Sequence, residues 1–212
     1  MKEIKVWKID KNKILKGICF PQDLSTLDLI SEILPGGAYT TFRTYGHFRA
    51  FCFDEHLRRL QNTAKLDGNP VKIDHDEIRT YVRQIIKTFP DQAELRIRIS
   101  IDLEKEIGDE YFMAEILQIP PEVAYRNGVK AITCDFKRKN PKAKLTSHVS
   151  ESIRIRRRLK AGINEALLVD DKGYILEGLS SNFFAVINRQ LWTAESRVLS
   201  GITRRITLER AN

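Results

Sequence analysis

The residues best suited to chemistry gather late in this chain. Glu177-Gly178 closes a strand-like run, and Ser180-Ser181-Asn182 makes a polar turn ahead of Phe183-Phe184. A carboxylate at a strand end beside small residues suits a buried ligand, because glycine and serine let backbone N–H groups come close. A plain hairpin carrying a solvated Glu reads the same way. Gly201-Ile202-Thr203-Arg204 opens a helix, and the first N–H groups and positive dipole end of a helix can hold a phosphate. Thr203 or Ser200 would serve equally well there as an ordinary helix cap.

Residues at these positions need elements to hold them. Apolar and polar residues alternate over 4–9 and 13–19, which predicts half-buried strands. Residues 23–34 carry Leu24, Leu27, Ile30 and Leu34 at helical spacing, and Pro35-Gly36-Gly37 stops that helix. Residues 38–45 and 48–53 predict a hairpin turning at Gly46-His47. Asp54 is then expected to cap a helix whose apolar face is Leu57, Leu60 and Ala64. Asp74 and Glu77 form a capping box for the next helix, through Val82, Ile85 and Ile86.

Strands follow at 95–101 and 111–117, and Pro120-Pro121 marks a stiff connection that divides the chain. Beyond it lie a strand at 128–136, a basic loop at 137–144, a helix at 148–161 and short strands from Glu165 onward. A last amphipathic helix starts at Gly201 and still runs at Asn212. The expected class is α+β with two domains, 1–119 and 124–212.

With 212 residues, 42% of them hydrophobic and 30% charged, the chain can bury a real core. No apolar run approaches the ~20 residues of a membrane span, and the first residues lack the apolar stretch of a signal peptide, so a cytoplasmic protein is expected. Cys19, Cys52 and Cys134 are odd in number and have no CxxC spacing, which argues against disulfides and against a metal site. All three are expected to be buried and inert. The net charge of +8 suits an enzyme of anionic small molecules or a nucleic-acid binder. Arg154, Arg156, Arg157, Arg158 and Lys160 favour the second reading, but no aromatics interleave them, so nucleic acid is the weaker expectation.

Taken together, residues 165–184 read E-A-L-x-x-D-x-x-G-x-x-x-E-G-x-x-S-N-x-F, and G-I-T-R follows at 201–204. The combination resembles the class IV aminotransferases, a pyridoxal-phosphate family that includes branched-chain aminotransferases, D-amino-acid aminotransferases and aminodeoxychorismate lyases. Residues 37–43 resemble the family's early strand, and His56-Leu57-Arg58-Arg59-Leu60 its H-x-x-R-L helix. The resemblance implies a two-domain, fold type IV enzyme that moves an amino group between an amino acid, branched-chain among the candidates, and a 2-oxo acid. It also implies a homodimer. Elimination of the aminodeoxychorismate lyase kind is the alternative, and an inactive remnant of the fold is a third possibility.

The same resemblance assigns roles. The cofactor-linked lysine precedes the helix leading to Glu165, so Lys137, Lys139, Lys142 and Lys144 are candidates. Lys144 matches the family spacing best and Lys142 is the fallback, while Lys137, Arg138 and Lys139 are expected to form a solvated loop. Glu177 is expected at the pyridine nitrogen. Arg59 and the N–H groups of Ile202 and Thr203 are expected at the phosphate, with Ser180 and Ser181 as additions. Arg58 is expected to face solvent.

His148 stands near the position of a family Tyr, as a donor to the cofactor or as a solvent-facing helix start. Arg96, Arg43 and Tyr39 are candidates for the substrate, with Arg98 on the same strand face as Arg96. Thr40 stands where many branched-chain enzymes have Glu. Family members continue beyond the G-I-T-R helix, so an incomplete second domain lacking the C-terminal segment is expected.

Overall fold

Eight-residue Leu95–Asp102 (β5) is the best-buried strand of the protein, and its composition explains why. Ile97, Ile99 and Ile101 are β-branched at every second position, so they line one face and pack against helices. Its neighbours are Gly37–Tyr45 (β3) and Glu110–Ile116 (β6), both antiparallel to it. Ile4–Ile9 (β1), Leu15–Ile18 (β2) and Arg49–Ala50 (β4) complete a six-stranded sheet of order β2-β1-β6-β5-β3-β4. The computed structural model describes residues 4–10, 12–21 and 24–211, and the chain divides into two units. The first is Met1–Gln118 with Ala143–Val149; the second is Ile119–Lys142 with Ser150–Asn212. The lysine-bearing segment 143–149 thus groups with the first unit, although the sequence had put it in the second.

One sheet face carries Phe53–Leu66 (α2) and His75–Ile86 (α3). Leu57, Leu60, Ala64, Ile78, Val82 and Ile85 are buried there with Ile97, Ile99 and Phe112. Leu57 and Leu60 are fully buried, so truncating either to Ala costs about 2–5 kcal/mol. On Leu27–Ile33 (α1), Leu27 and Ile30 pack with Val6 and Met113. Thr26 caps this helix by accepting from the Leu29 N–H, and Asp23, the expected first residue, lies outside the described residues.

Two local expectations change. Asp54 does not cap α2: the N-cap is Cys52, in the left-handed region at φ 50° with no side-chain bond, and Asp54 instead pairs with Arg79. The second hairpin strand shrinks to β4 because the chain turns into α2 after Phe51. Asp74 does cap α3, accepting from Asp76 and Glu77 N–H. The cysteines depart too: Cys19 is exposed and the other two are half-buried. Cys19 follows β2, an edge strand of the sheet.

In the second unit, Glu122–Asn127 (α4) leads to Ala131–Cys134 (β7). That strand runs parallel to Glu165–Val169 (β8), which pairs antiparallel with Ile175–Gly178 (β9). Ser147–Arg156 (α5) lies between β7 and β8 in sequence, its first residues grouped with the first unit, and is shorter than the expected 148–161. Ala166, Leu168 and Leu179 form the buried core of this unit. Ala185–Ile187 (β10) and Gln190–Trp192 (β11) make a separate hairpin, and Ile202–Ala211 (α6) is the last helix. No helix among the described residues is long and apolar enough to cross a membrane.

Candidate active site

In the first unit the site begins with backbone pairing. The Tyr39 N–H donates to Lys144 O at 2.9 Å, Thr146 N–H donates to Gly37 O at 2.9 Å, and Ala38 and Leu145 form an antiparallel bridge. Thr146 Oγ1 accepts from Gly37 N–H and Thr63 Oγ1 from Lys144 N–H. The segment therefore docks as a short strand on the start of β3, a stretch that β4 does not reach. Gly37 is obligatory there, because a Cβ would lie 1.9 Å from Ile101 O.

This docking carries the Lys144 side chain over the ring of Tyr39, with Nζ 4.5 Å from the centroid. The Arg98 guanidinium also lies over that ring, at 4.8 Å. Burial pushes the Lys144 ammonium below its ordinary pKa; Arg59 and Arg98 push the same way, and Tyr39 opposes them. Burial pushes the Tyr39 phenol up, but the charges of Lys144 and Arg98 outweigh it and leave the pKa lowered. The shift runs toward the neutral amine, the form that attacks a carbonyl.

Arg59 projects from α2 one turn after His56, so both reach the same strand. Arg59 Nη2 donates to Thr40 Oγ1 at 2.9 Å, and Thr40 Oγ1 lies 2.8 Å from His56 Nδ1. Burial first, then the charges of Arg59 and Lys144, push His56 down to about 3. The ring is neutral, and a guanidinium only donates. Nδ1, which also lies 3.4 Å from Arg59 Nη2, is therefore the acceptor and Nε2 carries the proton. Arg59 Nε is buried with no hydrogen-bond partner among the described residues. Such a donor fits an oxyanion, and this is the feature by which the first unit suits a phosphate.

The other first-unit candidates fall outside this cluster or beside it. Arg96 pairs with Glu115 at 3.2 Å and faces Asp28 at 3.9 Å. Arg43 pairs with Glu94 and lies over the Tyr45 ring. Arg98, 2% exposed, is the strand arginine that goes inward. It donates to Leu27 O, Ser31 Oγ, Thr41 Oγ1 and Asp28. His148 is buried, which removes the solvent-facing alternative. Lys142 is exposed and so is Arg58.

In the second unit Glu177 is 2% exposed at the end of β9. Its Oε2 accepts from the Leu199 N–H at 3.0 Å and from Asn182 Nδ2 at 3.4 Å. Arg138 Nη1 lies 3.1 Å from Oε1, and Arg138 Nη2 donates to Leu179 O at 2.6 Å. Arg138 is thus not part of a solvated loop: its side chain is 8% exposed and matches a buried carboxylate. Lys137 pairs with Asp171, and Lys139 is exposed.

Asn182 also donates to Leu199 O at 2.9 Å, and its Oδ1 occupies the place of a Cβ on Gly201, at 2.0 Å. Gly201 therefore lets the turn before α6 close onto Asn182. Ile202 is buried and Thr203 exposed at the start of α6, and first-turn N–H groups have no acceptor within a helix. Arg204 Nε is another buried donor with no hydrogen-bond partner among the described residues. Ser180 Oγ accepts from Arg156 Nη2 and Ser181 Oγ donates to Glu165, so both serines are engaged within their own unit. No group of three or more His, Cys, Asp or Glu among the described residues is placed to hold a metal ion.

Sequence reasoning gave no role to His56, Asn182 or Arg138. The first two stood inside quoted motifs, His56 one turn before Arg59 and Asn182 next to Ser181. Arg138 carried no such signal, since a basic loop residue looks solvated until its carboxylate is located.

The model for amino-transferase class IV matches residues 37–212. A putative branched-chain-amino-acid aminotransferase of Methanocaldococcus jannaschii is 26% identical over 190 residues, which cover 82% of this chain. The chain spans 65% of that relative's length. The structure of a putative branched-chain amino acid aminotransferase from Thermotoga maritima aligns with a TM-score of 0.74 at 23% identity, covering 98% of this chain and 73% of that one. The 4-amino-4-deoxychorismate lyase of Pseudomonas aeruginosa aligns with a TM-score of 0.63 at 19% identity, covering 82% of this chain and 68% of that one.

Proposed function

The chain belongs to the class IV aminotransferases, which depend on pyridoxal 5'-phosphate, and from that premise we propose that it transfers an amino group between an amino acid and a 2-oxo acid. The observation that carries this reading is Lys144, whose amine lies over the Tyr39 ring and is biased toward its neutral form. The cofactor supplies an aldehyde for the amine and a ring that withdraws electrons from the substrate α-carbon. Lys144 Nζ takes up and returns the α-carbon proton. In the first unit Arg59, with its unused Nε donor, would hold the phosphate; in the second unit the N–H groups of Ile202 and Thr203 are the candidates for the same group. Glu177, held as a buried carboxylate, would serve the pyridine nitrogen and keep it protonated. Tyr39 borders the substrate, and Arg96 and Arg43 remain the candidates for its carboxylate.

Branched-chain amino acids are the first substrates to test, on the names of the relatives. In this reading the protein works in the cytoplasm, and as a homodimer, the second of which the family resemblance implies. Elimination from aminodeoxychorismate is the second reading: Thr40 stands in place of the Glu of many branched-chain enzymes, with its hydroxyl committed to Arg59 and His56, and a 4-amino-4-deoxychorismate lyase is among the similar structures. Incubation with leucine and 2-oxoglutarate is expected to yield glutamate. Absence of glutamate, with pyruvate released from aminodeoxychorismate, overturns the first reading in favour of the second.

A further inference from the structure

Further along the β3 face that carries Thr40, the next inward residues are Phe42 and Thr44, and beside them lies a cavity of about 350 Å³. Phe42, Phe53, Val82 and Ile86 are buried and form its apolar floor. Its remaining lining includes three arginines, Arg49, Arg79 and Arg83, and no carboxylate. All of these residues belong to the first unit.

The charges are not balanced locally. Arg79 is met by Asp54 at 2.7 Å and stacks over the Phe53 ring at 5.1 Å. Arg49 and Arg83 are exposed and make no ion pair among the described residues. Arg79 and Arg83 stand four apart on α3, where like charges repel, and Asp54 pairs with the first of them. Phe48 is left 44% exposed at the same place. The volume sits at the small end of the range for ligand pockets, about 300–1,000 Å³, which are typically apolar with a few convergent polar groups.

We propose that this cavity binds a small amphipathic carboxylate, its apolar body on Phe42, Phe53, Val82 and Ile86 and its carboxylate between Arg49 and Arg83. The apolar floor selects against inorganic anions, and the cationic mouth selects against neutral hydrocarbons. Phe42 also touches the ring of His56, with centroids 5.5 Å apart, so the ligand lies one side chain from the Arg59 cluster. The site nevertheless uses none of the residues assigned to the cofactor, and the inference does not rest on the proposed activity.

Calorimetric titration of the full chain with hexanoate tests it. Saturable binding is expected, and Arg49→Ala with Arg83→Ala weakens it by about tenfold or more. Both arginines are exposed, so that variant folds. Ala50→Trp, which fills the cavity without changing charge, abolishes binding, while Arg59→Met leaves it unchanged. The proposal is overturned if hexanoate shows no saturable binding, or if hexanol competes as well as hexanoate. It is also overturned if inorganic phosphate displaces hexanoate at equal concentration. Loss of binding in Arg59→Met but not in the double arginine variant assigns the ligand to the cofactor cluster instead. A double variant that changes oligomeric state marks the surface as a subunit contact and equally sinks the idea.

Discussion

The buried charges of the two units are arranged on opposite terms. Around Lys144 the first unit collects like charges, Arg59 and Arg98, with a phenol between two of them and a neutral histidine alongside. Around Glu177 the second unit matches one carboxylate with one arginine, one backbone N–H and one amide. A cluster of like charges lowers amine pKa values, and although Arg98 is paired with Asp28, the Arg59 Nε donor is left waiting for an anion. A matched cluster holds one charge still and has little to give up. The first arrangement suits a reacting lysine and a phosphate, the second a fixed electrostatic partner.

The largest expected effect breaks the first cluster. Lys144→Ala lowers transamination by about a thousandfold or more and removes the visible absorption band formed with pyridoxal phosphate. Lys142→Ala leaves both intact; a band lost in Lys142→Ala but kept in Lys144→Ala reverses the assignment of the two lysines.

The next effect breaks the second cluster. Arg138→Ala strands a buried carboxylate and costs about 3–5 kcal/mol. Urea unfolding read separately at Trp7 and Trp192, one tryptophan in each unit, is expected to show the loss at Trp192. A shift confined to Trp7 contradicts the matched-pair description.

Arg59→Lys sharpens the contrast further. It keeps the charge but loses the planar fork, so affinity for pyridoxal phosphate falls about tenfold in a spectrophotometric titration. Equal affinity means that charge alone, rather than the waiting Nε donor, serves the phosphate.

The smallest effects are linked to pH and belong to the first unit. His56, near 3 in the fold against 6.5 ordinarily, contributes stability that is present above 6.5 and lost as pH falls toward 3. Glu110 is the converse. Burial first, then Glu77, Asp74 and Asp109, raise it from 4.5 to about 7, with Lys13 opposing. Its contribution is present below 4.5 and lost as pH rises through 7. Glu110→Gln is therefore expected to raise Tm by about 2–4 °C at pH 8, for roughly 1 kcal/mol, and to change little at pH 4. An equal gain at both pH values refutes the linkage.

Most elements could be read from local patterns. The alternation of Ile97, Ile99 and Ile101, the face of Leu57, Leu60 and Ala64, and the Asp74 cap all act through near neighbours in sequence. What escaped depends on residues far apart in the chain. Arg98 is buried against Asp28 and Ser31, which lie 70 and 67 residues back, and Arg138 against Glu177, which lies beyond it. Cys52 as an uncapped, left-handed N-cap follows from the tight passage out of β4, where no local preference predicts it. The candidate cofactor residues could be named only through the joint order of several motifs, since each motif alone had an ordinary structural reading.

One amide has wider reach than its size suggests. The Asn182 side chain ties the Glu177 carboxylate to the Leu199 carbonyl and fills the gap that Gly201 leaves. It behaves as a shared joint: the direction of the carboxylate and the entry of α6 are set together, and neither can be re-aimed alone. Any redesign of the helix start toward a different anion must first rebuild that joint, or it will swing Glu177 with it.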